Sequence, residues 1–278
     1  MNSLRTALLQ HRWIGLVAFA VLLTHGNCQA QEFRIYTRLY DHAADAESPP
    51  FIGCSVSMFH AGKVYDKTGS EVIIFEPALR QFTIIDGARM LATTVTFDQI
   101  LHFLKLAENE AQQYVAHLRI KPGTKQAVEV LEFQLSPKFQ ANLDSGQRKL
   151  TLQSPAFRYD IQCGQDTKSA EVLNVYLRYA DWIARLNSVM NPQSFFPAPR
   201  IALNKTLRNR GLLPLKVELQ VRSNPPFHVH AEHTIHWNLD RKDRSDIHHW
   251  ETMLRSKDVK YVTFGEYRQT VLVSQSKR

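Results

Sequence analysis

The sequence predicts an α+β protein: a strongly curled, mostly antiparallel β-sheet, unclosed and barrel-like, with two principal helices packed on or inside its concave side. Three observations carry that expectation. Short segments with apolar residues at alternate positions recur along most of the chain, each stopped by Gly, Pro, Asn or Asp. Two longer stretches, 97–118 and 170–190, switch to apolar spacings of three and four. No internal repeat and no polar linker interrupts the pattern, so residues 31–278 read as a single β-rich domain.

Residues 1–30 are set apart. Arg5 and Arg12 give a basic start without acidic residues, 14–23 is apolar, and Cys28 and Ala30 stand at minus three and minus one before Gln31. This is the pattern of a secretory signal peptide cut after Ala30, and its apolar run is shorter than the roughly 20 residues of a spanning helix. An uncleaved amino-terminal anchor and lipidation of Cys28 are the alternatives, although His25-Gly26-Asn27 is a poor tripeptide before a lipidated cysteine. The expected location is periplasmic or otherwise extracytoplasmic after signal-peptide removal.

Such a cut leaves 248 of the 278 residues and lowers the formal charge from +8 to +6, because Arg5 and Arg12 go with the leader. The remaining excess is spread along the chain, which suits a solvated surface or peripheral contact with an anionic membrane surface and argues against nucleic acid. Cys54 and Cys163 remain, either as one disulfide or as two buried free thiols. Two cysteines cannot staple a chain of this size, so the core must come from apolar burial.

Strands are expected at 32–40, 54–60, 63–66, 71–76, 81–85 and 89–95, with bends at Ala61-Gly62 and Asp86-Gly87. The first helix follows at 97–118, opened by Thr96 and Gln99 as a capping box and closed by Pro122-Gly123. Strands resume at 127–135, 150–153 and 157–163. The second helix, 170–190, has Ser169 as its N-cap. Prolines 192, 197 and 199 bracket Phe195-Phe196, and a short helix is expected at 203–209 before Gly211. Strands at 215–222 and 227–239, a short helix at 246–254 and one long strand or bent pair over 259–274 complete the chain.

The densest unusual feature is the group His228, His230, His233 and His236, followed by His248 and His249. In a strand, period two puts His228, His230, Glu232 and His236 on one face and Val229, Ala231 and Ile235 on the other, with His233 a core histidine. His228 and His230, completed by Glu232 or His248, have ligand chemistry for zinc or copper; the competing reading is the polar face of an amphipathic strand. No nucleophile elbow, His-Glu-x-x-His helix or phosphate-cradling glycine loop is present. Asp98 and His102 read as a surface pair, Cys163 as a buried strand residue, and Arg200, Lys205, Arg208, Arg210 and Lys216 as a basic group around the third helix. Phe97, Leu101, Leu104, Tyr176, Tyr179, Ile183 and Leu186 are the candidates to line an apolar ligand cavity, or else to close-pack as core.

The run Phe59-His-Ala-Gly-Lys-Val-Tyr-Asp66, then Glu71-Val-Ile-Ile-Phe-Glu-Pro77, then Arg80 to Asp86, resembles exported proteins of planctomycete-type bacteria without assigned activity. More distantly it is similar to the outer-membrane lipoprotein carrier proteins of the periplasm. The resemblance covers residues 59–118, assigns no catalytic residue, and implies a sheet able to hold an acyl chain or another hydrophobic ligand. The expected function is therefore a carrier-like protein for a hydrophobic or lipidated ligand in the cell envelope, with a lipid or lipidated protein as partner. A metal-dependent or other hydrolase using the histidine-rich strand and a structural interaction domain without a small ligand are the alternatives. Cofactor and oligomeric state are left unassigned.

Overall fold

The computed structural model describes residues 32–42, 49–164 and 170–275, all within one compact unit, Gln31–Arg278. The expected signal segment, its cut site and the N-cap Ser169 lie outside the described residues. The strands are β1 (Phe33–Asp41), β2 (Phe51–His60), β3 (Lys63–Thr68), β4 (Glu71–Glu76), β5 (Gln81–Asp86), β6 (Leu91–Thr96), β7 (Gln140–Asp144), β8 (Lys149–Gln153), β9 (Phe157–Cys163), β10 (Pro214–Val221), β11 (Phe227–His236) and β12 (Lys260–Tyr261). The helices are α1 (Phe97–Arg119), α2 (Lys125–Leu135), α3 (Ala170–Met190), α4 (Ala198–Arg210), α5 (Arg241–Met253) and α6 (Phe264–Gln275).

The sheet runs β12-β6-β5-β4-β3-β2-β1-β11-β10-β9-β8-β7. Its centre is the pairing of β1 with β2 on one side and β11 on the other. Two antiparallel meanders extend outward from there, and only β12 joins in parallel, beside β6. This corrects the expected architecture. The protein is α+β, but its sheet is a mixed, open row of twelve strands rather than a strongly curled barrel, and six helices are described rather than two principal ones. The row ends in two weak edges, the five-residue β7 and the two-residue β12, which are not paired with each other.

Period two divides β1 cleanly. Phe33, Ile35, Thr37 and Leu39 face a core side covered by α1, α3, α4 and α6, while Arg34, Tyr36, Arg38 and Tyr40 face the outer side. On β2–β5 the outer side is also covered: Ile247 and Trp250 of α5 pack on Met58, Tyr65, Val72, Ile74 and Ile85. Burial on both faces explains the unbroken apolar run Val72-Ile73-Ile74-Phe75, where alternation would leave a wet face. Arg34 anchors α5 by donating to Asp240 and Asp243, both at 2.8 Å, and those two aspartates also form the helix's capping box.

Two elements differ in kind from the sequence reading. The expected strand at 127–135 is α2, because Lys, Gln, Ala, Glu and Leu supply strong helix formers and Val130 and Gln134, four apart, are its buried pair. The expected strand over 259–274 is only β12 followed by α6. Thr263 and Glu266 cap that helix reciprocally, with Thr263 N donating to the Glu266 carboxylate at 2.8 Å and Glu266 N to the Thr263 hydroxyl at 3.3 Å. The strand β7 was not expected at all, and α4 and α5 begin five residues earlier than their expected starts at 203 and 246. The Thr96–Gln99 box of α1 and the span of α3 are as expected.

Candidate functional site

Neighbouring strands place Leu39 of β1, Val229 and Ala231 of β11, and Val217 and Leu219 of β10 on one patch of the core side. Phe157 and Tyr159 of β9 extend it. The end of α3 stands opposite with Ala184, Asn187 and Ser188, and the 194–197 connection brings Phe195 and Phe196 against the same patch. Together they line a cavity of about 250 Å³, open on one side to solvent, with a largely apolar wall.

Local chemistry keeps this space open. Ala184 and Ala231 are short, and Pro197 and Pro199 fix the backbone that carries the two phenylalanines. The amide of Phe196 donates to the buried side chain of Gln134 at 2.8 Å, which ties the connection to α2. Phe195 packs edge-on against Phe157 and Phe227, with ring centroids 5.5 and 5.0 Å apart. The aromatic wall is thereby held beside the hollow instead of filling it.

One positive charge lines the cavity. Arg200 lies in the first turn of α4, whose N-terminus has no side-chain cap. Its guanidinium acts on the Tyr176 hydroxyl by charge and hydrogen bond, and by charge on Tyr159 and His233. Among the described residues no carboxylate lies within ion-pair distance of it. Beside it, His233 Nδ1 is 2.9 Å from the Thr37 hydroxyl while its enclosed Nε2 has no partner among the described residues. Burial, helped by the Arg200 charge, lowers His233 to about 4, so it is neutral at neutral pH.

No family model and no curated protein matches this chain. Among solved structures, one of PNGF-II aligns with 87% of this chain and 34% of that chain, at 9% identity and a TM-score of 0.35. This chain thus spans about a third of that chain's length, and a likeness at this level carries no argument about fold or activity.

The expected ligand-lining set is elsewhere. Phe97, Leu104, Tyr176, Tyr179 and Leu186 are buried in the main core, Ile183 packs partly buried against it, and Leu101 is 45% exposed. They close-pack: Phe97 stacks on Trp182 at 3.7 Å and Tyr179 meets Phe59 edge-on at 5.9 Å. The hollow instead lies toward the carboxyl end of α3, where Ala184 and Ser188 replace bulkier side chains.

The histidine-rich strand has the predicted faces, with His228, His230 and Glu232 on the outer side and His233 on the core side. The expected metal set His228, His230, Glu232 and His248 is not assembled, and among the described residues no group of three or more suitable side chains is arranged to hold a metal ion. His248 is on α5, and the third imidazole beside the pair is His42, which sequence reasoning missed. The nitrogens are engaged with one another and with acids: His42 Nε2 lies 2.5 Å from His230 Nδ1, and His228 Nε2 lies 2.8 Å from Glu218.

Cys54 and Cys163 are free thiols, exposed and buried respectively, so of the two alternatives the disulfide is not formed and the buried-thiol one holds for Cys163 alone. Four strand spacings, about 19 Å in all, separate β2 from β9, far beyond the roughly 7 Å Cα limit of a disulfide. The basic group around α4 is also dispersed. Arg208 pairs with Asp181 at 2.9 Å, Lys216 lies 4.0 Å from Glu232 on the outer side, Lys205 and Arg210 are exposed, and Arg200 alone lines the cavity.

Proposed function

We propose that this chain is a binding or carrier-like protein of the cell envelope that holds a hydrophobic ligand in the cavity between β1, β9, β10, β11 and the α3–α4 connection. The observation that carries the reading is a hollow of about 250 Å³ with a largely apolar wall contributed by four strands, two helices and a tethered aromatic segment. Its size matches about eight groups of roughly water volume, ~30 Å³ each. That is room for one medium-length chain and too little for a two-chain lipid. Burying about eight methylenes at about 0.8 kcal/mol each provides about 6 kcal/mol before the costs of association, which suits reversible loading.

A neutral naphthylamine dye tests the reading. Saturable one-to-one binding by the wild-type chain, abolished by Ala231→Phe with the thermal midpoint retained, supports it. Equal binding by the two proteins places the dye elsewhere and removes the support.

A further inference from the structure

We infer that the ligand of this cavity is a single-chain anionic amphiphile whose carboxylate is received by Arg200. The inference rests on the apolar-cavity reading above and adds the chemistry of the headgroup. A cavity made for a neutral hydrocarbon gains nothing from a guanidinium in its wall, since setting that charge against an apolar occupant costs solvation that an anion restores. Arg200 lines the cavity and has no carboxylate partner among the described residues. Its own fork is planar and suited to two parallel hydrogen bonds to a carboxylate.

A further feature points the same way. Arg200 belongs to the first turn of a thirteen-residue helix that lacks a side-chain cap, so the positive end of the helix dipole and the guanidinium lie together. Tyr176 stands near the guanidinium, whose charge acts on its hydroxyl. Asn187, Ser188 and Ser194 give the same cavity a few neutral polar groups, while Leu219 and Phe195 offer a surface for the tail.

Calorimetric titration of the purified full chain with decanoate, 1-decanol and acetate tests the assignment, using wild type, Arg200→Gln and Arg200→Lys. Loss of a charge-assisted contact is expected to weaken decanoate by about 10- to 100-fold in Arg200→Gln. Arg200→Lys is expected to recover part of that loss, decanol to bind both variants like wild type, and acetate not to bind. Decanol binding as tightly as decanoate, or decanoate indifferent to Arg200→Gln, overturns the anionic headgroup and leaves the apolar cavity standing. Failure of both amphiphiles to bind wild type overturns the cavity reading itself, and acetate binding alone reduces Arg200 to a simple anion site.

Discussion

The Nε2 of His42 and the Nδ1 of His230 are 2.5 Å apart, so two imidazoles from the ends of the described chain share one hydrogen bond on the outer side of the sheet. The His42 ring also stacks on His228 at 4.5 Å between centroids. Burial, the charge of Lys216 and that of His42 together lower His230 below the ordinary histidine range. On the core side His233 is lowered to about 4, chiefly by burial.

Acid should therefore destabilise the fold through these side chains. A histidine whose folded pKa is depressed binds protons more readily when unfolded, so stability begins to fall as pH drops below about 6.5 and continues to fall until the folded value is reached. For His233 that window closes near pH 4, and the full loss is about 3 kcal/mol. Thermal midpoints of wild type and His233→Gln between pH 7 and 4 are expected to diverge, with the wild type falling more steeply. Parallel curves would contradict the assignment.

Asp66 should behave with the opposite sign. Burial raises its pKa although Tyr179 and Ser57 hydrogen-bond to it, and its Oδ1 has no partner among the described residues. A carboxyl with a raised folded pKa favours folding when protonated and loses that contribution as pH rises through the folded value. Asp66→Asn is expected to stabilise the protein by about 1 kcal/mol at pH 7, because it keeps an acceptor for Tyr179 and removes a buried charge. Asp66→Ala is expected to destabilise it by about 1–3 kcal/mol by stranding the Tyr179 hydroxyl. Urea midpoints at pH 5 and 8 check both signs.

The two described cysteines should differ in reactivity. Burial pushes the Cys163 thiol up to about 11, while Cys54 is exposed on the outer side. Brief iodoacetamide treatment of the native protein, followed by peptide mass mapping, is expected to label Cys54 and leave Cys163 unmodified until denaturant is added. Native labelling of Cys163 would place it outside the core.

Local signals in the chain were sufficient for α1, whose Thr96–Gln99 box is present, and for the bounds of α3, whose apolar face is wide. They misled where two periods overlap. Val128 and Val130 alternate like a strand, yet Val130 and Gln134 are also one helical turn apart, and packing against Ala156 and Phe157 selects the helix. At the carboxyl end valines 271 and 273 alternate like a strand, while the Thr263-x-x-Glu266 pair that the structure uses as a cap starts a helix. Thr263→Ala is expected to cost about 1 kcal/mol and to loosen the packing of Phe264 and Tyr267, read as faster amide exchange in α6. Unchanged exchange would deny the cap its role.

The candidate site was less legible because it depends on distant pairings. The contact that holds the aromatic connection open joins Phe196 to Gln134, 62 residues apart, and the histidine pair joins positions 188 residues apart. Arg200 could be read from the chain only as one basic residue among five. Its distinction arises when Arg208 finds Asp181 and Lys216 turns to the outer side, leaving Arg200 at the apolar cavity.

Native mass spectrometry of the full chain purified from its own kind of host, set beside the denatured mass, tests the central claim most directly. Occupancy of the cavity by one hydrophobic molecule is expected to appear as a single added mass that is lost on denaturation and is absent from Ala231→Phe. Identical native and denatured masses, or an added mass that Ala231→Phe retains, would contradict it.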